Sequence, residues 1–203
     1  MSAGSLLLRC WGVTPQTEAL IRDLRKLAAG YLPETQSIAA HAALENDALY
    51  AYLNASDFAS VKAKSPQQAD AVRELSALKG LRVETVPVER VFDTPGASQG
   101  EDAPFHYIVE TDVVPEHEAD LVAWYDTEHM PGLAACPGSV HARRFRNLDG
   151  SPRYHSCYDL ARTEAFGSEP WLAVRHSKWS DRVRPHFRNS RRTMFRRLFD
   201  LAL

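Results

Sequence analysis

A short segment of this chain places a phenol, two carboxylates and an imidazole within five positions, Tyr125-Asp126-Thr127-Glu128-His129. On a helix, the phenol four positions before His129 and the carboxylate three positions before it would lie within reach of the imidazole. Pro131 disfavours the α conformation in the residue before it, so we expect the helix to end at or near His129. The negative end of the helix dipole would then favour the imidazolium and let His129 exchange a proton near neutral pH.

A structural interpretation of the same segment stays open, with His129 capping a helix and Tyr125 packed in a core. The distribution of histidines favours chemistry in the second half of the chain. Seven of the eight histidines lie there, at His106, His117, His129, His141, His155, His176 and His186.

The apolar pattern predicts the element order β-α-β-β-α-β twice. The first set comprises a strand over 5–13, a helix from Thr14-Pro15 to Gly30, a hairpin of 37–44 and 48–53, a helical region capped by Ser56-Asp57 and interrupted at Ser65-Pro66, and a strand over 81–91. The second comprises a strand over 105–114, a helix from Pro115-Glu116 to His129, a hairpin of 139–146 and 153–160, a helical region after Thr163, and a strand over 193–199. For this last strand, a basic helix is the alternative.

The predicted fold class is α+β, with two ferredoxin-like repeats fused in one chain. The first repeat covers residues 1–92, a breaker-rich linker covers 93–104, and the second repeat covers 105–203 and carries the candidate site. Each sheet has one face covered by its helices, so the other faces should pack together as an intramolecular barrel enclosing a small apolar ligand. Two repeats with a solid interior, or a barrel formed with a second chain in a homodimer, are the alternatives.

Composition excludes several classes of function. A net charge of −2 gives no general attraction to nucleic acid, and no apolar run approaches membrane-spanning length. Three cysteines without paired spacing favour reduced thiols, and together with the lack of an export signal they predict a cytoplasmic protein. The sequence has no metal-binding motif, phosphate loop or Gly-x-Ser-x-Gly elbow.

Basic residues are dense near the end of the chain, at Arg182, Arg184, Arg188, Arg191, Arg192, Arg196 and Arg197. The apolar residues between them favour an edge packed on the protein, with solvated arginines and salt bridges to the acidic linker. Binding of an anionic ligand is the main alternative, and a nucleic-acid patch is another.

Residues 106–198 resemble the dimeric α/β-barrel superfamily, and within it the EthD-like group. The resemblance is carried by Trp124-Tyr125, Glu128-His129-Met130-Pro131, Pro137-Gly138, Arg143-Arg144-Phe145-Arg146, Pro152-Arg153-Tyr154 and Tyr158-Asp159-Leu160. It implies a barrel whose relatives are often cofactor-independent cyclases, dehydratases, isomerases, decarboxylases or monooxygenases. It also implies His129 as the functional histidine, with Tyr125 and Glu128 as its neighbours. Haem occurs in relatives, but nothing here marks an axial histidine, and no cofactor is expected.

Two positions depart from that pattern, because His155 and Cys157 stand where relatives tend to carry aliphatic residues. A hairpin turn centred near 148–150 would place His141 opposite Tyr158, whereas a slip of one residue would bring His155 and Cys157 onto that face. The residues predicted to bind substrate are Trp124, His141, Phe145, Tyr154, His155, Tyr158, His176 and Trp179. For His141, His155, His176 and Trp179, a structural or surface role is the alternative.

The leading functional hypothesis is a cofactor-independent lyase, dehydratase or cyclase acting on a small apolar, aromatic or polyketide-like carbonyl compound. His129 would be the base or acid, a tyrosine at 125 or 158 would polarise an oxygen, and Asp126 or Glu128 would orient the imidazole. The alternatives are a cofactor-free monooxygenase of an electron-rich phenol and a non-catalytic small-molecule-binding protein.

Overall fold

The computed structural model describes residues 2–12 and 14–203. Val13, predicted as the last residue of the first strand, lies outside the described residues. The elements of the first half are β1 (Gly4–Trp11), α1 (Thr17–Tyr31), β2 (Thr35–Ala43), β3 (Ala48–Ala55), α2 (Phe58–Ala63), α3 (Ser65–Arg73), a 3-10 turn (Ser76–Leu78) and β4 (Arg82–Pro95). The predicted order of elements is confirmed for this half.

Two helix boundaries in the first half show how local chemistry places them. Helix α1 begins at Thr17 rather than at Thr14-Pro15, because Gln16 is still extended and serves as the N-cap. Helix α2 begins where the sequence predicts, since Asp57 accepts hydrogen bonds from the backbone N–H groups of Ala59 and Ser60.

The second half repeats the pattern with more short helical turns. Its elements are β5 (Phe105–Val113), a 3-10 turn (Pro115–His117), α4 (Glu118–Trp124), a π turn (Tyr125–His129), α5 (Met130–Ala134), β6 (Ser139–Asn147), β7 (Tyr154–Leu160), a 3-10 turn (Thr163–Ala165), α6 (Glu169–Arg175), α7 (Lys178–Val183), a 3-10 turn (Arg184–His186) and β8 (Phe187–Ala202). Residues 193–199, for which a basic helix was the alternative, therefore lie in a strand.

The eight strands hydrogen-bond in the order β1-β3-β2-β8-β5-β7-β6-β4 and close into a barrel. The predicted α+β fold class, two ferredoxin-like repeats forming an intramolecular barrel, is confirmed. Residue contacts divide the chain into two units, one consisting of the chain up to Arg90 together with Phe195–Leu203, the other of Val91–Met194. Strands β4 and β8 each contribute residues to both units.

The segment predicted as a linker, 93–104, is hydrogen-bonded to the second unit. Strand β4 continues to Pro95, and the N–H of Gly96 then donates to the carbonyl of Val140 at 2.9 Å. A Cβ at Gly96 would lie 2.1 Å from the carbonyl oxygen of Ser139, so only glycine permits this approach.

The β6–β7 hairpin has the register that the sequence left as the alternative. Asn147 pairs with Arg153, which centres the turn on Gly150 and places Asp159, not Tyr158, opposite His141. The expected pairing of His141 with Tyr158 is therefore wrong, because a half-residue shift of the turn moves every partner by one position.

Cys10, Cys136 and Cys157 are buried, and none of them joins a disulfide with another described residue. Among the described residues, no helix has both the length and the hydropathy needed to cross a membrane.

Candidate functional site

The helix that carries His129 does not end there, which corrects the sequence-based expectation. A π turn connects α4 to α5, and the N–H of Met130 donates to the carbonyl of Tyr125, five residues back. Pro131 lies in the first turn of α5, directly after the π turn. The π turn thus allows the helical segment to continue past the proline. Turns of this kind often occur at functional sites.

The π turn places His129 at a pocket built within the second unit. The imidazole stacks on the indole of Trp124, with ring centroids 4.1 Å apart and an angle of 24° between the planes. The ring of Tyr125 meets it edge-on at 5.5 Å. Two buried nitrogens of these rings, Trp124 Nε1 and His129 Nδ1, have no hydrogen-bond partner in the part of the chain that the structure describes.

Aromatic side chains from five further positions extend the wall around His129. The lining rings, besides Trp124 and Tyr125, are those of Tyr107, Tyr158, Phe166, Trp171 and Phe187, and Val109 and Leu133 add aliphatic surface. Several of the rings contact one another, as Tyr158 and Trp171 do edge-on at 5.3 Å. The space between them is about 420 Å³ when the open solvent at its mouth is included.

Three guanidinium groups complete the pocket. Arg175 ends α6, Arg184 begins the 3-10 turn after α7, and Arg192 lies on β8. No carboxylate is among the lining residues that the structure describes. The pocket is therefore aromatic in its walls and positive in its charge.

This environment controls the protonation of the groups in the pocket. Burial, followed by the charges of Arg184 and Arg175, lowers the pKa of His129 to about 3. The expected imidazolium is therefore wrong, since the helix has no end at His129 and the neighbouring charges are positive. Burial raises the pKa of the phenols of Tyr107, Tyr125 and Tyr158, so all three stay protonated near neutral pH.

The two acidic residues of the motif contact other partners than the imidazole. Asp126 forms an ion pair with Arg144 at 3.0 Å, and Glu128 accepts a hydrogen bond from the hydroxyl of Ser177. Arg144 is almost completely buried and lies 5.1 Å from the ring centre of Tyr125. Asp126 therefore holds the cation that packs against the ring of Tyr125.

Of the residues predicted to bind substrate, Trp124 and Tyr158 line the pocket. The hydroxyl of Tyr154 donates to Glu118 at 2.5 Å, and the indole N–H of Trp179 donates to Asp120 at 2.9 Å. His176 is exposed at the end of α6. These three side chains are absent from the pocket lining.

The remaining predicted residues lie on strand positions that alternate with Tyr158. His155 pairs across the hairpin with Phe145, and its Nε2 donates to the carbonyl of Pro152 at 3.0 Å. His141 contacts Asp93 at 2.5 Å. Because adjacent strand residues point to opposite faces, the register that pairs Phe145 with His155 separates them from Tyr158.

Several lining residues were not predicted as site residues from the sequence. Arg184 and Arg192 belong to the basic C-terminal segment, whose favoured interpretation was a solvated edge with an anionic ligand as the alternative. Nothing in the sequence singles out Arg175 or Phe166. For metals, the described residues contain no group of three or more His, Cys, Asp or Glu side chains that could hold an ion.

The fold matches solved structures over nearly the whole chain. An anthrone oxidase-like protein has a TM-score of 0.64 at 13% identity, with 98% of this chain and 93% of that one covered. A protein described as a candidate monooxygenase from Lactobacillus acidophilus NCFM has a TM-score of 0.63 at 11% identity, with both chains fully covered. A mutant chlorite dismutase from Candidatus Nitrospira defluvii has a TM-score of 0.61 at 11% identity, with 95% and 90% covered.

These structures share the fold class of this chain, an α+β barrel built from two ferredoxin-like repeats. Identities this low show the fold alone. No family model and no curated protein matches the sequence.

Proposed function

We propose that this protein is a cofactor-independent acid–base enzyme that enolises a small aromatic or polyketide-like carbonyl compound. The observation that carries the proposal is the neutral imidazole of His129 at the wall of a pocket lined by aromatic rings and guanidinium groups. Aromatic walls suit a flat, largely apolar substrate. Positive charge beside the base suits a reaction that creates negative charge on the substrate.

In the proposed step, His129 takes a proton from the carbon next to the carbonyl group. The C–H bonding electrons form a C=C double bond, and the π electrons of the carbonyl group move onto its oxygen, giving an enolate and an imidazolium. Arg175 and Arg184 stabilise the enolate, and the phenol of Tyr125 or Tyr158 donates a hydrogen bond to its oxygen. The proton returns in the later elimination or cyclisation, so the favoured class is a lyase, dehydratase or cyclase.

The low basicity of His129 is compatible with this step, because the enolate that forms carries a negative charge. The same two arginines that oppose protonation of the imidazole would be offset by the developing enolate. The imidazolium then forms beside an anion. The attraction between the two charges stabilises the transition state and lowers the barrier for proton transfer.

Proton exchange with solvent tests the proposal without knowledge of the later step. The purified protein is incubated in deuterium oxide with 1-tetralone, anthrone and related aromatic ketones, and deuterium at the carbon beside the carbonyl is measured by mass spectrometry. We expect the parent protein to accelerate exchange of at least one ketone. If the protein binds ketones but accelerates the exchange of none of them, the proposed enzyme is contradicted and a non-catalytic binding protein is favoured.

Oxygenation is a second candidate, and two of the similar structures favour it by description, a candidate monooxygenase and an anthrone oxidase-like protein. The same enolate would react with O₂, so that a methylene group and O₂ become a ketone and water. An oxygen electrode separates the two candidates, since enolisation followed by elimination or cyclisation consumes no O₂.

A further inference from the structure

We infer that the ligand of this pocket is an anionic arene, a small aromatic carboxylate whose charge is bound by Arg175, Arg184 and Arg192. The inference names the substrate class of the proposed enzyme, but it depends on the pocket and not on catalysis by His129.

The first argument is that these three pocket cations, unlike Arg182 and Arg191, form no salt bridge with any residue that the structure describes. Arg182 contacts Asp120 at 2.7 Å, and Arg191 contacts Glu110 at 2.8 Å. For Arg175, Arg184 and Arg192, the described residues provide no salt bridge. A structural role for an arginine normally includes a carboxylate or other acceptor.

The second argument is that the three cations repel one another. Arg184 is partly buried, and its pKa is lowered by burial first and then by the charges of Arg175 and Arg192, which outweigh the opposite effect of Asp181. Such an arrangement weakens folding unless an anion offsets it. A carboxylate does so best, because its two oxygens match the planar donor fork of a guanidinium.

The third argument is the surface that the arginines border. A phenyl ring fits between the aromatic side chains that line the pocket. The buried Nε1–H of Trp124 meets no acceptor among the described residues, so it is available to donate to a polar atom of the ligand. The cavity volume itself is only about 40 Å³, room for a few water molecules, and the pocket is open on one side. A single-ring acid whose charged end occupies the open mouth therefore fits better than a large polycycle.

The test compares an acid with its neutral isostere. Binding of benzoate and benzamide to the parent protein is measured by titration calorimetry at low salt, with phenol and cyclohexanecarboxylate as further probes. We expect benzoate to bind at least about tenfold tighter than benzamide, as a charge-assisted contact of about 1.4 kcal/mol would give. Equal binding of the two, or binding of neither, would overturn the inference.

Variants locate the effect. R175Q and R184Q should each remove most of the preference for benzoate over benzamide, whereas R182Q, two residues from Arg184 but paired with Asp120, should keep it. Circular dichroism establishes that each variant is folded. If R182Q reduces the preference as much as R184Q does, general surface charge is responsible and the inference is wrong.

A signal from His129 shows whether the anion sits beside the imidazole. Benzoate bound to Arg184 and Arg175 would offset two causes of the depressed pKa of His129, so the titration of its ring, followed by NMR, should shift to higher pH. An unchanged titration would place the acid elsewhere and overturn the inference. H129A should still bind benzoate, and its failure to catalyse deuterium exchange would concern the proposed function alone. Conversely, exchange without any preference for the acid would remove the inference and leave the proposed function standing.

Discussion

The imidazole of His129 lies stacked on the indole of Trp124 at 4.1 Å, yet it is neutral. A stacked imidazolium would gain about 0.5–2 kcal/mol from the ring. Burial and the charges of Arg184 and Arg175 act in the opposite direction and prevail. The protein therefore holds a neutral base against an aromatic surface, with positive charge beside it.

This neutral state makes the stability of the fold depend on pH. In the unfolded chain His129 binds a proton below about pH 6.5, but in the folded protein only near pH 3. The stabilisation is thus complete above pH 6.5 and is lost as the pH falls towards 3, by up to about 1.4 kcal/mol per pH unit. We expect urea denaturation between about pH 7.5 and pH 5 to show a steeper loss for the parent than for H129A. Equal slopes would contradict the depressed pKa, and H176A, which changes an exposed histidine, is the control.

The rate of deuterium exchange should depend on pH in a related way. Because His129 is neutral above its pKa of about 3, kcat/KM should stay level from about pH 8 to pH 5. A histidine with an ordinary pKa would lose activity below about pH 6.5. A loss of activity with a midpoint near pH 6.5, measured with a neutral ketone, would contradict the lowered pKa of His129.

The acidic residues of the motif should matter less than their proximity in the sequence suggests. Asp126 pairs with Arg144 and Glu128 with Ser177, so neither carboxylate orients the imidazole. We expect E128Q to change kcat/KM for exchange by less than about threefold, a barrier change under about 1 kcal/mol. A loss of two orders of magnitude in steady-state assays would restore the hypothesis that Glu128 orients His129.

Arg144 should stabilise the site mainly through packing. The whole side chain is buried, with its guanidinium carbon over the rings of Tyr125 and Tyr154, whereas its partner Asp126 is partly exposed and can be solvated alone. R144M, which keeps a long apolar side chain, should cost less than R144A, for which the loss is about 2–5 kcal/mol. Urea denaturation of both variants measures the difference. Equal losses would show that the charge, not the stem, stabilises the fold.

The sequence predicts the fold well because its signals are local. The apolar spacing predicts both β-α-β-β-α-β orders, and Asp57 places a helix start through its own side chain. The register of the β6–β7 hairpin is harder, since it depends on whether the turn centres on Gly150 or half a residue earlier. That small difference decides whether Tyr158 or His155 shares a face with His141.

The site is less predictable, because its parts come from separate elements. The residues around His129 are recognisable as a group, but the continuation of the helix past Pro131 depends on a π turn, a conformation found in well under 1% of residues. Arg175, Arg184 and Arg192 lie on three different elements. Only the packing of those elements brings the three charges to one pocket.

The most direct test of the account is deuterium exchange by H129A beside its matched control. For a ketone whose exchange the parent protein accelerates, H129A should lower kcat/KM by about 10²–10⁴-fold, while H176A stays near the parent and both variants keep its thermal stability at about pH 7.5. That result would establish His129 as the group that removes the proton. Exchange by folded H129A at the parent rate would contradict the central claim.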